Sequence, residues 1–177
     1  IIRPPVLFVH GLASSQVCFA SFCHKLESEG YYKDYQLFRS DYRATATDAF
    51  DVNANIVKKD IGLLHAQCYL EGYVTSKADI IGHSMGGLLT RMYLQNQSHK
   101  GVNRVITLNT PHFGSQGANL LVNDISPYFF QWVHKDFFNG GKAVNDLMVN
   151  SNAISDLSLT ANGLKGIPMH AVCTDYS

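Results

Sequence analysis

The hexapeptide Gly82-His83-Ser84-Met85-Gly86-Gly87 constrains this chain more than any other stretch. It follows a short apolar run at 78–81 that reads as a strand buried on both faces, and it leads into Met85, Leu88, Leu89 and Met92, whose spacing is helical. A G-x-S-x-G sequence at such a junction demands a turn so tight that side chains at the flanking positions would collide with neighbouring backbone, and glycine removes the collision. The serine is then held on a strained strand-to-helix turn, its hydroxyl lifted above the sheet. There the helix dipole and the free N–H groups of the first turn favour developing negative charge. Three fixed residues at about 7% frequency each give on the order of 0.06 chance matches in a chain this long. The motif therefore draws its weight from its strand–turn–helix setting.

Strands and helices alternate around it. Residues 6–9 form a continuous apolar run between Pro4-Pro5 and His10-Gly11. Phe19, Phe22, Cys23 and Leu26 then share one helical face, which Gly30 closes. A second strand is expected at 35–42. Val57, Ile61, Leu64 and Cys68 fall on one stripe of a helix running from Asp48, its expected N-cap, to about Leu70, with Gly72 ending it. Further strands are expected at 102–108 and 167–172. This alternation predicts an α/β fold: a mostly parallel sheet of about five strands with helices on both faces and right-handed crossovers. With 177 residues, 46% of them hydrophobic, one domain over 1–177 is the expectation. The segment 118–165 breaks the rhythm. It is rich in Asn and carries Tyr128, Phe129, Phe130, Trp132, Phe137 and Phe138 within a short span. It reads equally as a lid or acyl pocket and as a helical pair covering the sheet.

Composition excludes several classes of function. Fourteen basic and fourteen acidic residues cancel, and charged residues are only 16% of the chain, so nothing favours a phosphate backbone as partner. A hydrophobe-rich, weakly charged chain does not read as disordered, and its apolar runs stop short of a transmembrane helix. The glycines around Ser84 fit neither the G-x-G-x-x-G nor the P-loop pattern of nucleotide binding. Cys18, Cys23, Cys68 and Cys173 sit in apolar segments without metal-site spacing. They read as buried free thiols, with a disulfide as the alternative. No metal constellation and no cofactor motif is apparent. Asn96-Gln97-Ser98 is a glycosylation sequon that matters only in a secreted eukaryotic chain. The chain starts at Ile1 rather than Met, which suggests a processed or excised piece with no targeting signal left to read.

Four segments together resemble the lipases and esterases of the α/β-hydrolase family. Val6-Leu7-Phe8-Val9-His10-Gly11-Leu12 resembles the oxyanion strand and loop, and 82–87 resembles the nucleophile elbow. Asn109-Thr110-Pro111-His112-Phe113-Gly114-Ser115 is similar to the T-P-H-x-G-S segment of triacylglycerol lipases, and 143–151 to an A-x-x-D-L-x-x-x-S stretch of the same enzymes. The resemblance implies a serine hydrolase acting on lipid or small-molecule esters without a cofactor. Ser84 would be its nucleophile, with the backbone N–H groups of Leu12 and Met85 as oxyanion donors. It also implies that His10, His83, His112 and Phe129 lie on the substrate side of the site, and that transient contact with a lipid surface and a secreted or cell-envelope location are the favoured settings.

A serine hydroxyl needs a histidine to take its proton and an acid to orient that histidine. The family's chain order is Ser, acid, His, with the acid after a late strand. Asp175 is the acid nearest that place, although it follows the strand sooner than the pattern leads one to expect, and no histidine follows it. The expectation is that the base lies beyond residue 177. The competing reading is a hydrolase-fold binding module without a base. A thioesterase or acyltransferase would share the same elbow.

Overall fold

Among the described residues the strands are β1 (Val6–Val9), β2 (Leu37–Arg39), β3 (Ala78–His83), β4 (Val102–Leu108) and β5 (Met169–Val172). The α-helices among the described residues are α1 (Ala20–Ser28), α2 (Phe50–Leu70), α3 (Met85–Asn96), α4 (Gln116–Asn123), α5 (Lys142–Leu147) and α6 (Asn152–Ser155). They come from a computed structural model that describes residues 3–96, 101–123, 141–157 and 166–174. The strands form one sheet in the order β2-β1-β3-β4-β5, every neighbouring pair parallel. Expectation and structure agree on the fold class, and β4 has the bounds read from the sequence.

Side-chain alternation along β1 shows how the two faces are covered. Leu7 and Val9 point into a large cluster with Val57, Ile61 and Leu64 of α2 and Leu88 and Leu89 of α3. Val6 and Phe8 point the other way, into a smaller cluster with Phe19 and Cys23. On that smaller face the Phe8 ring lies 5.1 Å from Phe19 and edge-on to Phe22 at 5.9 Å. The stripe expected on α2 is buried throughout, and Gly72 follows the helix at φ 74, a left-handed position that suits glycine.

Three local expectations are corrected. The second strand is only three residues long because a 3-10 turn, Asp34–Gln36, occupies its expected beginning, and the chain has left the sheet before Tyr42. Asp48 does not cap α2. Asp146 does so from a position 96 residues away, its Oδ2 accepting the Phe50 N–H at 2.8 Å. Cys23 and Cys68 are buried, but Cys18 and Cys173 are exposed, and all four are free thiols; burial pushes the Cys23 thiol up to about 11.

The aromatic run from Tyr128 to Phe138, including Phe129, lies outside the described residues. The parts of 118–165 that are described belong to the core: Ala118 of α4, Ala143, Val144 and Leu147 of α5, and Ile154 of α6 are all buried in the large cluster.

Candidate active site

The turn between β3 and α3 is built on close backbone approach. A Cβ added at Gly82 would lie 2.7 Å from Gly87 Cα, one at Gly86 would lie 2.2 Å from the Val9 carbonyl oxygen, and one at Gly87 would lie 2.1 Å from Thr110 Oγ1. These three positions admit no side chain without displacing backbone or a buried threonine. Between them Ser84 has φ 52, a left-handed conformation that costs a residue with a Cβ roughly 1–2 kcal/mol. Its amide donates to the Leu108 carbonyl of β4 at 2.9 Å, which ties the turn to the neighbouring strand. Met85, the first residue of α3, is fully buried, while its N–H belongs to the first helical turn and has no intrahelical acceptor.

The loop after β1 presses against this turn. A Cβ on Gly11 would lie 2.8 Å from Ser84 Cβ and 3.3 Å from Ser84 Oγ, so the Gly11–Leu12 backbone passes beside the serine. Immediately beyond, Ala13 has φ 63, a left-handed bend at a non-glycine residue. Leu12 is half-buried against the large core.

His10, expected on the substrate side, is fully buried instead. Its ring stacks on Tyr42 with centroids 4.0 Å apart and planes 4° from parallel, and its Nδ1 lies 2.9 Å from the Gly11 carbonyl oxygen. A carbonyl can only accept, so Nδ1 carries the proton, and Nε2 is left buried without a partner. Burial holds the imidazole below its ordinary range, which keeps it neutral. His83, at the end of β3, is half-buried.

His112 has its two ring nitrogens committed to the fold. Arg91 Nη1, which can only donate, approaches Nδ1 at 3.2 Å, so the ring proton sits on Nε2 and is directed at Thr107 Oγ1, 3.0 Å away. Burial and the Arg91 charge both lower its proton affinity. Arg91 itself is buried in α3 and extends to the carbonyls of His112 and Leu157, each at 3.0 Å. The elbow helix, the loop after β4 and the end of α6 are thus joined by one buried guanidinium. The sequence reading missed it, because Arg91 falls between apolar helical positions and carries no motif.

Asn109 was also missed as a functional position. At φ 47 it turns the chain out of β4, its amide donates to the Val172 carbonyl at 2.8 Å, and its Oδ1 accepts from the backbone N–H and hydroxyl of Thr174. It therefore pins the segment leaving β5, where the acid was expected. Asp175 itself lies outside the described residues. So do Gln97 and Ser98 of the sequon, whose Asn96 closes α3. Among the described residues, no group of three or more His, Cys, Asp or Glu side chains could hold a metal ion, and no helix is long and apolar enough to cross a membrane.

A parallel sheet with this strand order, and a serine on a glycine-crowded strand-to-helix turn, define an α/β-hydrolase of the lipase-like kind. Residues 3–162 match the family of the PGAP1-like alpha/beta domain, and the chain belongs to that family. The triacylglycerol lipases of Pseudarthrobacter phenanthrenivorans and Burkholderia plantarii are each 29% identical to it over 127 residues. The match covers 67% of this chain but 36% and 32% of theirs, so the chain spans about a third of the length of these relatives. Among solved structures, the mature lipase BlEst2 of Bacillus licheniformis superposes with a TM-score of 0.72 at 22% identity, covering 96% of this chain and 64% of that one. Phospholipase PlaB of Legionella pneumophila superposes at 0.64 and 19% identity, covering 96% and 38%. These likenesses establish the fold.

Proposed function

We propose that this chain carries the nucleophile half of a lipase-like carboxylic ester hydrolase, working through an acyl-enzyme on Ser84. The observation that supports this most is the left-handed Ser84 on a turn whose three glycines leave no room for side chains, beside the Gly11–Leu12 backbone. In the proposed reaction Ser84 Oγ attacks the acyl carbonyl as its proton passes to an imidazole. The carbonyl oxygen becomes an oxyanion that accepts from the Leu12 and Met85 N–H groups. The intermediate then collapses, the alcohol leaves with the proton, and water releases the acid by the reverse route. His112 is not available as the base while Arg91 and Thr107 engage both of its ring nitrogens. The base and its acid partner, with Asp175 as the acid candidate, follow β5 in the family order. The triacylglycerol lipase relatives point to lipid esters as the substrate class, with transient lipid-surface contact as a corollary.

The test is labelling with a fluorophosphonate probe, run with a Ser84→Ala control on this chain and on the natural gene product that contains it. Labelling that disappears in Ser84→Ala is expected, and a much faster reaction in the gene product would locate the base outside 1–177. A folded gene product that stays unlabelled would overturn the proposal in favour of a binding module. Matched ester, thioester and anilide substrates then separate an esterase from a thioesterase or an amide-directed acyltransferase.

A further inference from the structure

Beside the loop that carries Leu12, His10 and Tyr42 are buried side chains to which the proposed reaction gives no task. They are also bound to each other twice. Their rings stack face to face, and the Tyr42 hydroxyl donates to the His10 carbonyl. Tyr42 is reached only after β2, more than thirty residues along the chain, so this contact joins two loops at the same end of the sheet. The other interaction of the ring is the hydrogen bond from Nδ1–H to the Gly11 carbonyl.

That bond has a directional consequence. In a trans peptide the C=O and the following N–H point in opposite directions from one rigid plane. Fixing the Gly11 carbonyl toward the buried His10 ring therefore turns the Leu12 N–H the opposite way, out of the packed interior. Gly11 itself lies against the serine, since a Cβ built on it would come within 2.8 Å of Ser84 Cβ. Ala13, held at φ 63 immediately after, shows that the loop adopts a conformation its own residues would not choose. The surrounding structure must hold it there, and the His10 bond and the Tyr42 stack fix the segment that leads into it.

We propose that Tyr42 and His10 form a positioning clamp for the oxyanion site: Tyr42 fixes the His10 ring and carbonyl, and His10 Nδ1–H fixes the Gly11–Leu12 peptide so that the Leu12 N–H faces the acyl oxygen. This rests on the reading of Leu12 N–H as an oxyanion donor. Neither side chain touches substrate. Burial keeps the His10 ring neutral, and the donor it uses is the Nδ1–H that the carbonyl itself selects. An asparagine at position 10 retains a donor within reach of the same carbonyl, whereas leucine removes it.

The experiment compares wild type, Tyr42→Phe, His10→Leu and His10→Asn in the natural gene product. It measures kcat and KM on a short-chain p-nitrophenyl ester, inhibition by an alkyl trifluoromethyl ketone, and thermal midpoint. Loss of one oxyanion donor lowers rate by about 10²–10³-fold, so misdirecting it in His10→Leu is expected to lower kcat by about 10–100-fold with KM unchanged. Inhibitor affinity should fall in parallel, because the ketone hydrate anion occupies the same site. Tyr42→Phe, which keeps the stack and loses only the hydroxyl, should show a smaller loss of the same kind, and His10→Asn should recover most of the activity. A kcat loss without loss of ketone affinity would overturn the clamp, as would His10→Asn behaving like His10→Leu. If His10→Leu does not fold, the decision falls to Tyr42→Phe, whose unchanged kcat would likewise overturn it. A wild type that neither turns over ester nor binds the ketone would refute the oxyanion reading itself, and the clamp with it.

Discussion

At the turn between β3 and α3 a methyl group added at Gly86 would sit 2.2 Å from a backbone oxygen, whereas along β5 the side chains of His170, Ala171 and Val172 are exposed. Both regions flank β4, and both are fixed in place, but by different means. The elbow is held by the absence of volume: three glycines let β1, α3 and Thr110 close on the serine. The β5 end is held by polar groups, through its parallel ladder to β4 and the Asn109 contacts to Val172 and Thr174. Substitutions at the elbow should therefore be felt through size, and substitutions at β5 through lost hydrogen bonds.

The strongest way to break this contrast is Gly86→Ala. It is expected to cost about 3 kcal/mol in urea unfolding, at the upper end for overpacking, and to abolish fluorophosphonate labelling; a variant within about 1 kcal/mol of wild type would show the elbow to be less rigid than described. Next comes Asn109→Gly, which keeps the left-handed φ and removes only the side-chain acceptor. About 1 kcal/mol should be lost, with faster hydrogen exchange at the Thr174 amide; unchanged exchange there would deny Asn109 its role. A smaller effect is expected from His112→Gln, in the loop between the two regions. Burial and Arg91 depress the folded pKa of His112 below its ordinary 6.5, so on acidification the unfolded chain takes up the proton first. The stability contributed by neutral His112 is complete above that ordinary value and is lost as pH falls through the depressed one. Wild type should accordingly lose more of its thermal midpoint than His112→Gln between pH 7.5 and pH 5; parallel curves would contradict the assignment. The smallest effect belongs to Val172→Thr on exposed β5, expected within about 0.5 kcal/mol of wild type by thermal melt.

Legibility from sequence follows the same division. The elbow, the α2 stripe and the bounds of β4 were readable because each depends on spacing within one segment: glycines two residues either side of a serine, apolar residues three or four apart, a continuous apolar run. The features that escaped depend on partners distant in sequence. Tyr42 reads as the end of a strand, but β2 stops at Arg39, and nothing near position 42 names His10 as its partner. Arg91 shows its importance only when the His112 and Leu157 carbonyls are brought to it. For 118–165 the sequence leaves a lid and a helical pair covering the sheet equally open, and it is the contacts of Ala118, Ala143, Val144, Leu147 and Ile154 with the large cluster that show the described parts packing into the core.

The cap of α2 is the clearest case of such distance, and it bears on the order of folding. Emerging from a ribosome, the 21 residues of α2 are complete long before Asp146 has been made. Until the crossover from β4 has been synthesised and docked, the Phe50 amide at the start of the helix lacks this acceptor. A contact of so long a range ties the start of α2 to the docking of α5. It also makes the start of α2 the place where a chain interrupted before residue 146 would be expected to fray.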